Sequence, residues 1–299
     1  MLGAYTRLTG AGLGCPDWPG CYGHLMVSVD VIDGQKAWTE MAHRYVAGTL
    51  GLLILSISLL VGKSRLEGTP VPWKLPLGLV LLVFFQATLG MWTVTLKLLP
   101  VVVMAHLLGG LLIFGGLSYF RMQLSDVKVM PGVGWRFMTT LGLVLILCQI
   151  ALGGWVSANY AGLACIGFPR CNGLWWPALD FSHGFHVFSP VGDNYQGGVL
   201  EHHVRMTIQW VHRVGALVVF LYVLGLSLLM LKCSKAKLIR RSAWLALFLV
   251  LVQCALGVAN VVYLLPLWVA LLHNGVAALL LATMLWMHHL GGSPHANQC

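Results

Sequence analysis

Gly3-Ala4-Tyr5 through Gly12-Leu13-Gly14-Cys15, then Pro19, Cys21 and Gly23, aligns without a gap on Gly153-Gly154-Trp155 through Gly162-Leu163-Ala164-Cys165, then Pro169, Cys171 and Gly173, 150 positions downstream. The correspondence resumes with the apolar segments. His43-Arg44 answers to His212-Arg213, Gln86-x-x-Leu89-Gly90 to Gln253-x-x-Leu256-Gly257, and His106 to His273. The chain is an internal duplication. Each half carries two histidines inside apolar segments and one Cys-x5-Cys pair just outside them.

The 299 residues are 58% hydrophobic and 9% charged, whereas soluble domains carry about 25% charged residues. Apolar runs of roughly 20 residues, enough to cross a bilayer, fall near 38–61, 75–96, 100–120, 136–157, 206–231, 243–264 and 266–287. They predict an all-α polytopic membrane protein with seven transmembrane helices and the lipid bilayer as its solvent. Residues 1–123 form the expected first helical repeat, 124–290 the second, and 291–299 a cytoplasmic tail. A complete repeat has four helices. An even number implies two repeated four-helix bundles related by an axis along the membrane normal. The counterpart of 136–157 falls before residue 3, so the first bundle lacks its leading helix and an upstream apolar segment is expected.

Lys63, Arg65 and Lys74, then Arg121, Lys128 and Arg136, then Lys232, Lys235, Lys237, Arg240 and Arg241 occupy alternate connections. Positive residues near short loops stay on the cytoplasmic side. The cysteine loops are therefore expected in the periplasm, with the protein multi-pass in the cell inner membrane. The net charge of +9 is mostly this topological bias, which excludes nucleic acid as a partner.

Disulfides persist in oxidising compartments, so Cys15 with Cys21 and Cys165 with Cys171 read as two short-range disulfides. Zinc is the competing ligand, with His24 near the first pair. Cys148, Cys233, Cys254 and Cys299 read as small buried or free thiols. The outer loop 158–205 holds His183, His186, Glu201, His202 and His203 and is long enough to cap one end of a bundle.

A lone histidine in a membrane helix is ordinarily a hydrogen-bonding group in an interface. Four in matched positions are different, because polar groups at membrane depth are costly and mark function. His106 and His273 follow Pro100 and Pro266 by six and seven residues, and all four histidines fall in one layer near the outer leaflet. Zinc or copper wants three or four ligands per site. Two per half suits the axial positions of haem iron, giving candidate pairs His43/His106 and His212/His273. Arg44 and Arg213 stand where haem propionates would emerge, or snorkel to the interface. Arg7, whose counterpart is Ser157, is a third propionate candidate or an interfacial charge. The repeated Gln-x-x-Leu-Gly at 86–90, 149–153 and 253–257 reads as close helix packing through glycine, with Gln free to bond between helices.

The halves differ one turn before the first histidine. Glu40 precedes His43 by three residues, and Gln209 precedes His212. Residues three apart share a helix face, so Glu40 is expected to point toward whatever His43 binds. A carboxylate on one side only suggests that one site transforms its ligand while the other holds a fixed cofactor. An interfacial Glu meeting water or Arg44 is the competing reading.

Tyr5-Thr6-Arg7-Leu8-Thr9-Gly10-Ala11-Gly12-Leu13-Gly14-Cys15-Pro16-Asp17-Trp18-Pro19 resembles the signature after the first helix of the haem A synthase family. Glu40-x-x-His43-Arg44 resembles its second-helix motif, and Tyr195 to Glu201 is similar to members from Gram-negative bacteria. The resemblance spans nearly the whole chain and departs at the start. It implies oxidation of the C8 methyl of haem O to the formyl of haem A by two successive hydroxylations. His43 and His106 would flank the substrate haem, His212 and His273 would ligate a haem b cofactor, and Glu40 would be catalytic. It also implies an electron donor, with haem O synthase and cytochrome oxidase assembly factors as partners. A di-haem b-type electron carrier and a haem transporter or chaperone are the alternatives.

Overall fold

The computed structural model describes residues 1–27, 33–125 and 135–291; Lys128 and all but the first residue of the expected 291–299 tail lie outside them. Among the described residues, seven helices are long and apolar enough to cross a membrane: α2 (Gly34–Leu66), α3 (Lys74–Thr95), α4 (Pro100–Gln123), α5 (Arg136–Ala158), α7 (His202–Cys233), α8 (Lys237–Val262) and α9 (Leu267–Leu290). They match the seven expected spans, and the protein is a multi-pass membrane protein. Two short helices complete the elements, α1 (Leu2–Leu8) and α6 (Phe181–Gly184).

Proline and charge punctuate the spans. Pro100 opens α4 and Pro266 precedes α9; proline suits a helix start, where its missing N–H has no helical acceptor. Lys63 and Arg65 lie in the last turn of α2, Arg121 in that of α4 and Lys232 in that of α7. Cations there complement the carbonyl end of the helix dipole and mark the positively flanked side.

The chain divides into two compact units. The first comprises Met1–Phe120, Ala158–Tyr160 and His186–Leu200; the second comprises Arg121–Ser157, Ala161–Phe185 and Glu201–Cys299. In the first, α2 lies against α1 and α3, and in the second α8 lies against α7 and α9. The loop 158–205, expected to cap one bundle, divides between the units. Residues 161–185 join the second unit, where Trp155 Nε1 donates to Gly184 O at 2.7 Å and Asp180 N donates to Thr207 Oγ1 at 2.9 Å. Residues 186–200 join the first. There Tyr195, 2% exposed, packs with Leu89, Leu98, Leu99 and Val102, and its N–H donates to Lys97 O at 3.1 Å.

The duplication extends to the main chain. Ala11 N donates to Thr6 O and Ala161 N to Val156 O, both at 2.9 Å. Cys21 N donates to His24 O and Cys171 N to Leu174 O, both at 2.8 Å. Lys97 and Leu98 after α3 and Leu264 and Leu265 after α8 all have positive φ, a strained choice for bulky residues that recurs at the same turn. Gly14 is fixed by close approach. A Cβ there would lie 2.6 Å from the Lys36 carbonyl carbon, so the first cysteine loop can rest on the α2 backbone only with glycine at this place.

Both short disulfides are formed, Cys15–Cys21 and Cys165–Cys171, each with Cα atoms 4.9 Å apart. The first buries both sulfurs with Val27, Ala37 and Met41 against the start of α2. Cys148 and Cys254 are free, whereas Cys233 is disulfide-bonded and not the thiol expected. Alkylation of the folded protein without reductant should leave Cys15, Cys21, Cys165 and Cys171 unmodified, as read by peptide mass. Replacing Cys15 and Cys21 by serine should lower stability by about 2 kcal/mol, the scale for closing so short a loop. Free alkylation of these four residues would contradict the pairing.

Candidate functional site

His106 is the seventh residue of α4, counted from Pro100, and His273 the seventh of α9, counted from Leu267. At 1.5 Å per residue each lies roughly 10 Å along its helix. In the first unit the His43 and His106 rings face one another edge to face, with centroids 6.3 Å apart. Two imidazoles bound trans to one iron, each with a metal–nitrogen distance of about 2 Å, place their centroids roughly 6 Å apart. In the second unit His273 lies within electrostatic reach of His212.

The ring nitrogens fit an absent ligand. His106 Nδ1 and His273 Nδ1 are buried without a hydrogen-bond partner, a costly state for a polar atom away from water. The second nitrogen of His273 lies 3.2 Å from Gln253 Nε2. Gln149 Nε2 lies 3.0 Å from His212 Nδ1 and donates to His212 O at 2.9 Å, while Gln86 Nε2 donates to His106 O at 2.6 Å. A metal-binding imidazole gives one nitrogen to the metal and donates from the N–H of the other, a role that the carboxamide oxygens of Gln149 and Gln253, both without a partner here, can accept. The three glutamines were visible in the sequence as interhelical hydrogen-bonders. Their partners are the histidines. Among the described residues, no three or more His, Cys, Asp or Glu gather in a metal-holding group.

Glu40 is 4% exposed, and both carboxylate oxygens are engaged. Oε2 accepts from Cys15 N at 2.9 Å and Oε1 pairs with Arg44 Nη2 at 2.5 Å. The carboxylate binds the cysteine loop and the arginine one turn on, the Arg44 contact being the competing reading of the sequence. Arg44 is similarly committed. Its Nη1 donates to the carbonyls of Asp17, Pro19 and Gly20. Arg213 does the same in the second unit, donating to the carbonyls of Cys165, Gly167 and Arg170. Both arginines, expected at propionates, hold the disulfide loops onto their helices. Arg7 stacks its guanidinium over the Tyr160 ring at 3.9 Å and donates to Ala158 O at 3.5 Å.

The two loops are anchored unequally. Gln209, the counterpart of Glu40, is 6% exposed and its Oε1 has no partner. The first loop has a further support in Asp17, which accepts from Tyr22 N and Gly23 N, each at 2.7 Å. Burial works upward on the Asp17 carboxyl, but these donors and the Arg44 charge outweigh it and hold it below its ordinary value. On the opposite loop, His183 Nδ1 lies 2.7 Å and His203 Nε2 3.6 Å from Asp180 Oδ2, at the surface. His186 and His202 take no part in that cluster.

The family model for cytochrome oxidase assembly proteins, COX15-CtaA, matches residues 1–285. A protein of Shewanella oneidensis named "Heme A synthase" is 42% identical over 97% of this chain and 91% of its own length. Proteins of the same name from Symbiobacterium thermophilum and Shouchella clausii are 30% and 28% identical, over 92% and 96% of this chain and 85% and 90% of theirs. With the family match running through both cysteine loops and all four histidines, the chain belongs to the COX15-CtaA family of cytochrome oxidase assembly proteins.

Proposed function

We propose that this chain is a haem A synthase, a membrane oxidoreductase that converts haem O to haem A. Relatives of that name along almost its full length support the activity. The observation that carries the site reading is the His43/His106 ring pair at 6.3 Å with Glu40 in the preceding turn, against a His212/His273 pair with neutral Gln209. His43 and His106 flank the iron of haem O. His212 and His273 hold haem b, which supplies one-electron chemistry when bound. The net reaction takes the C8 methyl to the formyl group in two successive hydroxylations. Apolar helices exclude bulk water from the reacting methyl. Glu40, held by Arg44 and Cys15, keeps a carboxylate one turn from the substrate-side histidine. Arg44, Arg213 and Arg7 support the outer ends of the sites, where propionates emerge.

The protein resides in the inner membrane, with its cysteine loops periplasmic and its Lys/Arg-rich loops cytoplasmic. An electron donor, haem O synthase and cytochrome oxidase assembly factors are its proposed partners. Haem extraction from the purified protein followed by mass spectrometry tests the reading. Haem b together with haem O, its alcohol or haem A is expected. Haem b alone at both sites would replace the synthase by a di-haem electron carrier.

A further inference from the structure

The Gln and Gly of the repeated Gln-x-x-Leu-Gly segment meet three of the four histidines in a common way. A Cβ built on Gly90 would lie 3.2 Å from His106 Cε1, on Gly153 3.1 Å from His212 Cε1, and on Gly257 3.3 Å from His273 Cε1. Gly3, the repeat counterpart of Gly153, stands 3.1 Å from His43 Cε1 by the same construction. Each ring thus rests on a neighbouring helix at a glycine, at a separation tighter than ordinary van der Waals contact for any side chain. This occurs at α1, α3, α5 and α8, once per histidine.

Four residues before three of these glycines, and so on the same helix face, stand Gln86, Gln149 and Gln253, which hydrogen-bond the same histidines. Two of the glutamines occupy space left by another glycine, three residues after the histidine. A Cβ on Gly109 would fall 2.1 Å from Gln86 Oε1, and one on Gly215 would fall 2.3 Å from Gln149 Oε1. Helix packing alone gives no reason for every histidine to land on a glycine, three of them with a carboxamide one turn away.

We infer that the Gln-x3-Gly element is the positioning device of the iron ligands. Glycine sets how closely each imidazole lies to the neighbouring helix, and the carboxamide fixes the rotation of the ring and the place of its main chain. These are positioning residues, and the inference rests on the reading of His212 and His273 as haem b ligands.

The second unit gives the test, because haem b is a reporter independent of turnover. In the full-length purified protein, Gly153→Ala pushes on the His212 ring, Gln149→Leu removes its hydrogen-bond partner, and Gly215→Ala displaces Gln149 without touching the ring. Gly225→Ala, on the same helix α7 with nothing within 4 Å of the added Cβ, is the control. The readouts are the rate of haem loss to excess apomyoglobin and the low-spin electron paramagnetic resonance signal. Changes around metal ligands weaken binding by about 10-fold or more. Haem loss should therefore accelerate by about 10-fold in Gly153→Ala and Gln149→Leu, with a shifted low-spin signal, while Gly225→Ala matches the parent. Should Gly153→Ala fail to insert, Gln149→Leu and Gly215→Ala decide, since neither adds bulk against the ring. Parental loss rates and signals in Gln149→Leu and Gly215→Ala would overturn the inference. Retention of the low-spin signal in His212→Ala would overturn the haem b assignment itself.

Discussion

His212→Ala should abolish the haem b spectrum and haem A formation together. The ring meets Gln149 and lies within electrostatic reach of His273 in the second unit, and alanine offers neither a ligand nor a hydrogen bond. Changes one shell further out cost up to about 100-fold in metal binding, so removal of the ligand itself should lower haem b occupancy and conversion by more than about 100-fold. His43→Ala is the informative contrast. It should lose bound haem O and conversion while keeping the haem b spectrum, because its partner is His106 in the other unit. The measurements are absorbance of the dithionite-reduced protein and chromatography of extracted haems. Equal loss of haem b in both variants would mean that the two pairs do not form separate sites.

Glu40→Gln should stop conversion and spare the haem b spectrum. Glutamine can still accept from Cys15 N, and Arg44 keeps its three loop carbonyls. The variant therefore folds, as the second half does with Gln209 beside Arg213. What it loses is the buried negative charge opposite Arg44. Groups that manage protons or charge at a reacting centre contribute about 100-fold or more, and haem O or its alcohol should accumulate to that extent. Glu40→Ala differs: it leaves Cys15 N and Arg44 without their partner, and breaking a buried pair costs about 3–5 kcal/mol, so its Tm should fall as well. Parental haem A formation in Glu40→Gln would reduce Glu40 to a loop anchor.

By itself the sequence determined the duplication, the seven spans and the matched places of His106 and His273 near the starts of their helices. Each of these follows from patterns that act locally and add along the chain: apolar length against bilayer thickness, cationic flanks, and fixed spacing from Pro100 and Pro266. The matched cysteine pairs were legible for the same reason, since a separation of only six positions leaves each sulfur few partners but its neighbour. Only the tertiary structure decided what the polar side chains bond. Helical periodicity placed Glu40 on the face of His43, but its carboxylate lies several torsions beyond Cα and follows the nearest donors, Cys15 N and Arg44. Arg44 and Arg213 turned to loop carbonyls because those acceptors come within reach only when the disulfide loop folds onto the helix. The loop 158–205 divided at 185/186, with Tyr195 in an apolar seat beside Leu98 and Val102. The glycines under the histidines show the limit most clearly: their identity is in the sequence, but which ring rests on which helix is a matter of contacts between segments many residues apart.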